Sequence, residues 1–254
     1  MEKQTKIALV TGGSRGLGKS MALHLAQSGV DVILTYNTKK AEAEAVAEEI
    51  RQMGRKAAVL QLDMANLRAY DAFIEQVAAQ LRQEFGRETF NILVNNAGMG
   101  ATVPFNQVTE EIFDHFMNVH FKGVYFFTQK LLPLLSDGGR ILNVSTGTTR
   151  FCVPGYSVYA SMKGAVEVLT RYLAKELGPR GITVNVLAPG PVETDFNNAA
   201  IRSNPQMKSF LSNAAALGRV GEADDIGGVV ALLCSEQAGW INGQRIEASG
   251  GINL

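Results

Sequence analysis

The chain has 254 residues, 46% hydrophobic and 19% charged, enough for a sizeable core and far from the composition of a disordered chain. Its 24 Lys and Arg balance 24 Asp and Glu, so nothing in the charge points to nucleic acid or an anionic membrane. The two cysteines, Cys152 and Cys234, have neither metal-ligand nor C-x-x-C spacing, and no apolar run is long enough to cross a bilayer. A soluble, reduced, cytoplasmic protein without a metal is the expectation, and Met1–Lys6 is expected to lead, unprocessed, straight into the first strand.

Strand-like and helix-like stretches alternate along the chain. Lys6–Val10 is a short aliphatic run followed by a glycine-rich turn and an Ala/Leu-rich helix over Ser20–Ser28, closed by Gly29. Asp31–Tyr36 is a second strand, with a charged helix over Lys39–Met53 behind it. Lys56–Leu62 is a third, with a helix over Leu67–Phe85. Phe90–Val94 is a fourth, then one long helix over Glu110–Leu135. Gly139–Val144 is a fifth, with a helix over Val158–Leu177. Ile182–Leu187 is a sixth and Gln244–Glu247 a short last one.

Strands separated by helix-length segments require parallel crossovers, so the expected fold is α/β: one doubly wound Rossmann-type domain over 1–254, with a mainly parallel seven-stranded sheet. Ligands of such sheets lie at the carboxyl ends of the strands. The stretch 191–217 breaks the alternation and is expected to form a substrate loop or lid.

The first turn, Thr11 to Ser20, fits two phosphate-binding patterns. From Gly13 it reads G-x-x-x-x-G-K-S, a P-loop with Lys19 and Ser20 as phosphate and magnesium ligands, for which Asp63 after the third strand offers a carboxylate. From Thr11 it reads T-G-x-x-x-G-x-G, a dinucleotide turn in which Gly12, Gly16 and Gly18 permit positive φ and close approach to a pyrophosphate. Two later stretches favour the dinucleotide. Asn95-Asn-Ala-Gly98 closes the fourth strand with a flat turn on which a ring system can lie. Tyr159 and Lys163, four apart on a helix, point a phenol and an ammonium group the same way, and a nearby cation lowers a phenol's pKa toward the working range of an acid/base. Ser145 and Thr146 end the preceding strand as hydroxyl donors. His24, His115 and His120 match no hydrolase pattern and read as surface or packed side chains.

Together these motifs resemble the short-chain dehydrogenase/reductase family from Lys6 to the C-terminus. The resemblance includes Asn118, Pro189-Gly190, Thr194 and Ser249-Gly-Gly251, and its wording is closest to the β-ketoacyl carrier-protein reductase branch. It implies roles residue by residue. Gly12, Ser14, Arg15, Gly16, Leu17 and Gly18 would hold the pyrophosphate and adenosine end, and Asp63 and Met64 would border the adenine. Asn95, Ala97 and Gly98 would floor the ribose and ring, and Pro189, Gly190, Val192 and Thr194 would line the carboxamide side. Tyr159 would be the proton donor, Lys163 would bind the ribose and depress the tyrosine pKa, and Asn118 would anchor a water leading to Lys163.

The family's serine position is Thr146 here, so Thr146 is expected to take that role, with Ser145 as the lesser alternative. Tyr36, Asn37 and Thr38 end the second strand without a carboxylate while Arg15 lies nearby, which implies NADP(H) over NAD(H). The implied reaction is reduction of a ketone, either a small carbonyl compound or a carrier-bound acyl chain that docks near Arg180; a catalytically silent dinucleotide sensor is the alternative. The aromatic run Phe113 to Phe127 and the resemblance imply a homotetramer.

Overall fold

Seven strands pair in one sheet: β1 (Ile7–Val10), β2 (Asp31–Tyr36), β3 (Ala57–Gln61), β4 (Phe90–Asn95), β5 (Leu135–Val144), β6 (Thr183–Pro189) and β7 (Arg245–Ala248). Their order is β3-β2-β1-β4-β5-β6-β7 and every pairing is parallel. This computed structural model describes residues 4–254, so Met1, Glu2 and Lys3 of the expected lead-in lie outside the described residues. Every residue of β1, β2 and β6 is buried, so these strands are mostly apolar and do not alternate, with a few buried polar residues such as Thr35 and Asn185 among them.

The helices are α1 (Gly16–Gln27), α2 (Lys40–Gln52), α3 (Tyr70–Gln80), α4 (Glu110–Met117), α5 (Gly123–Leu131), α6 (Ser157–Leu177), α7 (Phe196–Ser203), α8 (Pro205–Ala214) and α9 (Ala223–Cys234). Alternate residues of β1 feed two cores. Ile7 and Leu9 pack with Tyr70, Phe73, Phe127 and Val166 from α3, α5 and α6. Ala8 and Val10 pack on the other face with Met21, Val46, Ile226 and Val230 from α1, α2 and α9. The chain winds outward in opposite directions from β1 and β4, so a crevice opens between their carboxyl ends, the place where such sheets bind ligands.

The structure departs from the expected elements in three places. The single helix expected over Glu110–Leu135 is α4, a π-helical turn over Asn118–Lys122, α5 and a 3-10 turn over Leu132–Leu134. The π turn forms because the Gly123 amide reaches back to the Asn118 carbonyl, and Gly123 packs where a Cβ would come 2.7 Å from the Met64 carbonyl oxygen. β5 begins at Leu135, earlier than expected, because Leu135 pairs with Phe90 before a register shift. The segment 191–217 contains α7 and α8, and α9 follows it, a helix that the chain-order reading did not anticipate.

Two glycines make opposite predictions. Gly18 in α1 stands where a Cβ would overlap the Gly12 carbonyl, whereas Gly164 in the interior of α6 has nothing within 4 Å. Gly18→Ala should destabilise the fold by roughly 1–3 kcal/mol through forced backbone movement. Gly164→Ala should stabilise it by roughly 0.5–1 kcal/mol through helix propensity alone. Denaturant unfolding of both variants checks the pair.

Candidate active site

The first turn resolves its own ambiguity. Lys19 forms an ion pair with Glu49 of α2 at 2.8 Å, and the Ser20 hydroxyl donates to Asp224 of α9 at 2.8 Å. Both P-loop ligands are thus spent on helix packing, and Asp63 accepts the amide of Ala65 at 2.9 Å in a local turn. The glycines form a cradle of backbone. Gly12 (φ 68°) and Gly16 (φ 56°) occupy the left-handed region, Gly12 and Gly13 amides donate to the Thr35 hydroxyl and carbonyl on β2, and Leu17 and Gly18 open α1 beneath them. Ser14 and Arg15 lie on the outer lip, Arg15 exposed at the N-cap of α1. Tyr36 is buried at the end of β2, and Asn37 and Thr38 beyond it are exposed.

At the end of β4 the two asparagines divide the work, and not as the resemblance implies. The Asn95 side chain is buried and donates to Thr128 at 3.0 Å and Asn143 at 2.8 Å, turned away from the crevice into a polar ladder. Its neighbour Asn96, which the sequence reading left without a role, clamps the glycine turn: its amide group donates to the Thr11 and Gly12 carbonyls at 2.9 and 3.2 Å. The Thr11 hydroxyl accepts both the Asn96 and Ala97 amides at 3.0 Å. Ala97 and Gly98 then run along the floor of the crevice. Met64 is buried below, its carbonyl accepting from the Tyr70 hydroxyl at 2.7 Å, with Asp63 exposed beside it.

Tyr159 and Lys163 share the inner face of α6, and both are buried. The Lys163 Nζ donates to the Val144 carbonyl at 2.7 Å and sits 5.8 Å from the centre of the Tyr159 ring. Burial pushes the Lys163 pKa down to about 8. The tyrosine runs against expectation: burial raises its pKa above the usual value, and only the Thr146 hydroxyl pulls it down. An ammonium group anchored on a carbonyl and lying off the ring leaves desolvation as the dominant influence. Tyr159 therefore keeps its proton through neutral pH.

The two hydroxyls after β5 are sorted by Glu167. Ser145 is buried and donates to the Glu167 carboxylate at 2.6 Å, which also accepts from Thr149 at 2.8 Å and Arg245 at 3.0 Å. Thr146 caps a short 3-10 turn, its hydroxyl accepting the Thr148 amide at 3.2 Å, and pulls the Tyr159 pKa down. Arg245 bonds the Thr146 carbonyl at 3.2 Å and Glu247 at 2.9 Å; Arg150, with Arg245 and Ser249, holds the Glu247 carboxyl down to about 2.

Asn118 is half-buried in the π turn, where its carbonyl takes the Gly123 amide. The residue of that turn that reaches the tyrosine is His120. Its imidazole is fully buried, edge-on to Tyr159 with ring centres 5.1 Å apart, and stacked on Phe116 at 5.6 Å. Gly98 admits it, since a Cβ there would fall 2.9 Å from His120 Cε1. Packing of His120 agrees with the sequence reading, but its place beside Tyr159 was missed. The available signal was a lone polar residue between Val119 and Phe121, four after Phe116.

The loop after β6 closes the site from above. The Gly190 amide donates to the Ala248 carbonyl at 3.0 Å, Val192 bridges to Gly221, and Thr194 packs on Gly16 of the glycine turn. Pro189 ends β6 beneath them. Phe196 lies over Tyr159 with ring centres 6.3 Å apart and meets Gly100, and Asn197 donates to the Tyr156 hydroxyl at 3.0 Å. Asn197, Asn198 and Ala199 are all left-handed, a strained start to α7. Arg180 is already engaged, with Asp137 at 2.7 Å and the Leu132 and Leu135 carbonyls. Among the described residues no metal-binding cluster occurs and no helix is long and apolar enough to cross a membrane.

This arrangement of glycine turn, tyrosine, lysine and hydroxyl matches known proteins along nearly the whole chain. A family model described as enoyl-(acyl carrier protein) reductase matches residues 12–253. The chain belongs to the short-chain dehydrogenase/reductase family and is an oxidoreductase of the C=O/CH–OH pair. It is 37% identical to the 3-oxoacyl-[acyl-carrier-protein] reductase FabG of Staphylococcus aureus, over 99% of this chain and 100% of that one. An uncharacterised oxidoreductase of Methylorubrum extorquens is 39% identical, covering 97% of each chain. Among solved structures, the angucycline C-6 ketoreductase LanV with bound NADP superposes with a TM-score of 0.93 at 39% identity, covering 99% of this chain and 97% of that one.

The geometry separates the two hydroxyls experimentally. Thr146→Ala should lower kcat on the order of 10²-fold, with Ser145→Ala losing far less. Equal losses in both would refute the division. Because Lys163 is charged below and neutral above about 8, kcat/KM for the cofactor, which reports the free protein, should decline as pH rises through that value. A flat profile from pH 7 to about 9.5 would contradict it.

Proposed function

We propose that the protein reduces a compact, apolar ketone to a secondary alcohol with NADPH, Tyr159 acting as the general acid. The observation that carries this reading is Tyr159 and Lys163 buried on one face of α6, beside the Thr146 hydroxyl and at the carboxyl ends of the central strands. The residues present fit a dinucleotide: the turn through Gly12 and Gly16 presents the unpaired amides at the N-terminus of α1 to a pyrophosphate. The end of β2 has no carboxylate to repel a 2′-phosphate, and exposed Arg15 offers a cation from the adjoining lip. When bound, the nicotinamide supplies the hydride.

The protein's own groups do the rest. Thr146 donates to the carbonyl oxygen as it gains charge, and Tyr159, kept protonated by burial, delivers the proton. Lys163 holds its charge toward the tyrosine and the ribose, while Ala97, Gly98, Pro189, Gly190, Val192 and Thr194 wall the nucleotide. The segment 191–217 serves as the lid, with Phe196 closing over Tyr159 and excluding water.

A free ketone fits better than a carrier-bound chain. Phe196, Tyr156 and Phe116 surround Tyr159 with rings, and Arg180, the candidate docking cation, is tied to Asp137. That LanV acts as an angucycline ketoreductase lends support to an aromatic ketone. Exposed Tyr125, Val168 and Tyr172 on α5 and α6 support assembly into a homotetramer through that face.

NADPH consumption with a panel of free aromatic and aliphatic ketones beside an acetoacetyl thioester tests the reading. Turnover should favour the free ketones, vanish in Tyr159→Phe, and be faster with NADPH than NADH, with Arg15→Ala narrowing that preference. Preference for NADH, or turnover confined to the thioester, would overturn the corresponding part.

A further inference from the structure

The last residues of the chain hold one end of the lid. Beyond β7, Gly250 (φ 63°) and Gly251 (φ 75°) turn the tail back along residues 214–217. The Leu217 and Ala216 amides donate to the Gly250 and Gly251 carbonyls at 3.0 and 3.1 Å, and the Asn253 amide donates to the Ala214 carbonyl at 3.0 Å. A Cβ on Gly251 would fall 2.8 Å from the Ala216 Cβ, so glycine is what lets the two segments lie so close. The other end is pinned separately: the Glu193 amide donates to the Gly221 carbonyl and the Gly221 amide to the Pro191 carbonyl, both at 2.9 Å. No residue of α7 or α8, between these anchors, is buried. The position of the lid therefore depends on its two ends.

Arg150 grips this tail from the loop that carries Thr146. Its guanidinium donates to both Glu247 carboxylate oxygens, at 3.0 and 2.8 Å, and to the Ile252 and Asn253 carbonyls, the latter at 3.2 Å. Isolated surface ion pairs contribute little, but a bidentate one inside a network is the exception. Glu247 also accepts from Arg245 at 2.9 Å and Ser249 at 2.8 Å, and Arg245 reaches the Thr146 carbonyl. A cavity of about 550 Å³ is walled by Arg150, Val192, Leu217 and Gly250, so both anchors border open space. Hydrogen bonds, more than close packing, fix where they stand.

We propose that Arg150 is a specificity-determining residue: by clamping the C-terminal tail to the Thr146 loop, it sets how far the lid end at 214–217 stands from Thr146, and so limits the size of ketone admitted. This rests on the proposed ketone reduction and names what restricts that site to compact substrates. None of the Arg150 hydrogen bonds goes to Tyr159, Lys163 or the glycine turn, so it acts through the tail as a positioning residue. A planar guanidinium suits the task, because its fixed fork reaches a carboxylate and two carbonyls together.

The test compares wild type with two variants. Arg150→Met keeps a long apolar stem without donors; Asn253→Pro removes the amide that bonds Ala214 and cannot adopt the Asn253 φ of 51°. In both, the kcat/KM preference for a compact over a bulky ketone should narrow about 10-fold, through a lower KM for the bulky one. The NADPH dissociation constant and kcat for the compact ketone should stay within about twofold of wild type. Wild-type selectivity in Arg150→Met would overturn the proposal, as would an equal loss of kcat on both ketones. Hydrogen–deuterium exchange of the free protein gives a readout without turnover: in Arg150→Met a peptide over 214–218 should exchange about 10-fold faster, and one over 190–194 as in wild type. Unchanged exchange at 214–218 overturns the clamp, and so does faster exchange spread evenly through the sheet, the mark of general destabilisation. A wild type that binds NADPH and reduces no ketone would defeat the functional reading, and exchange would still decide whether Arg150 holds the lid.

Discussion

A ladder of buried amides and hydroxyls keeps the two halves of the site in register. Asn95 of β4 donates to Asn143 of β5 at 2.8 Å, Asn143 donates to Thr170 of α6 at 2.8 Å, and Thr170 donates on to the Val166 carbonyl at 2.9 Å. One end of this chain adjoins Asn96, whose amide clamps the glycine turn. The other end lies on α6 at Thr170, two turns beyond Lys163 and three beyond Tyr159. Buried polar groups of this kind are stabilising only when their partners are in place, so the ladder admits one spacing between the glycine turn and Tyr159. Continuous apolar strands alone would tolerate sliding of α6 over the sheet.

The polar network around Glu167 acts on a finer scale. Two adjacent hydroxyls end β5, and extended backbone sends neighbouring side chains to opposite faces. Glu167 receives Ser145, while Thr146 turns toward Tyr159. Arg245 and Arg150, both joined to Glu247, extend the network to β7 and the loop after β5. The hydroxyl that meets the tyrosine is therefore selected by a carboxylate that never touches it.

Burial sets the electrostatics of the centre. Lys163 and Tyr159 are both desolvated, and the lysine's nearest hydrogen-bond acceptor is a neutral carbonyl. Desolvation shifts both groups toward their neutral forms, in contrast to the simple picture of a cation depressing a phenol beside it. A proton-donating tyrosine suits reduction, and a lysine whose pKa lies near 8 is readily involved in proton exchange. Such an arrangement costs stability that the two large cores on either side of the sheet supply.

The local code of this chain was legible wherever one element decided the outcome. Gly12, Gly16 and Gly18 need positive φ or close approach, six apolar runs and a short last segment have strand length, and Tyr159 and Lys163 share a helical face by spacing alone. Fold, sheet direction and the tyrosine–lysine pair follow from these. What the sequence could not decide depended on partners distant in the chain. Lys19 and Ser20 lost their P-loop meaning only when Glu49 and Asp224 came to meet them, and the tyrosine pKa turned on burial. The π turn that brings His120 to Tyr159 depends on Gly123 packing against Met64, 59 residues away in the chain. Periodicity reports which face of an element is apolar; it carries no information about which polar group will find which partner once the elements pack, and that pairing determined the chemistry of the site.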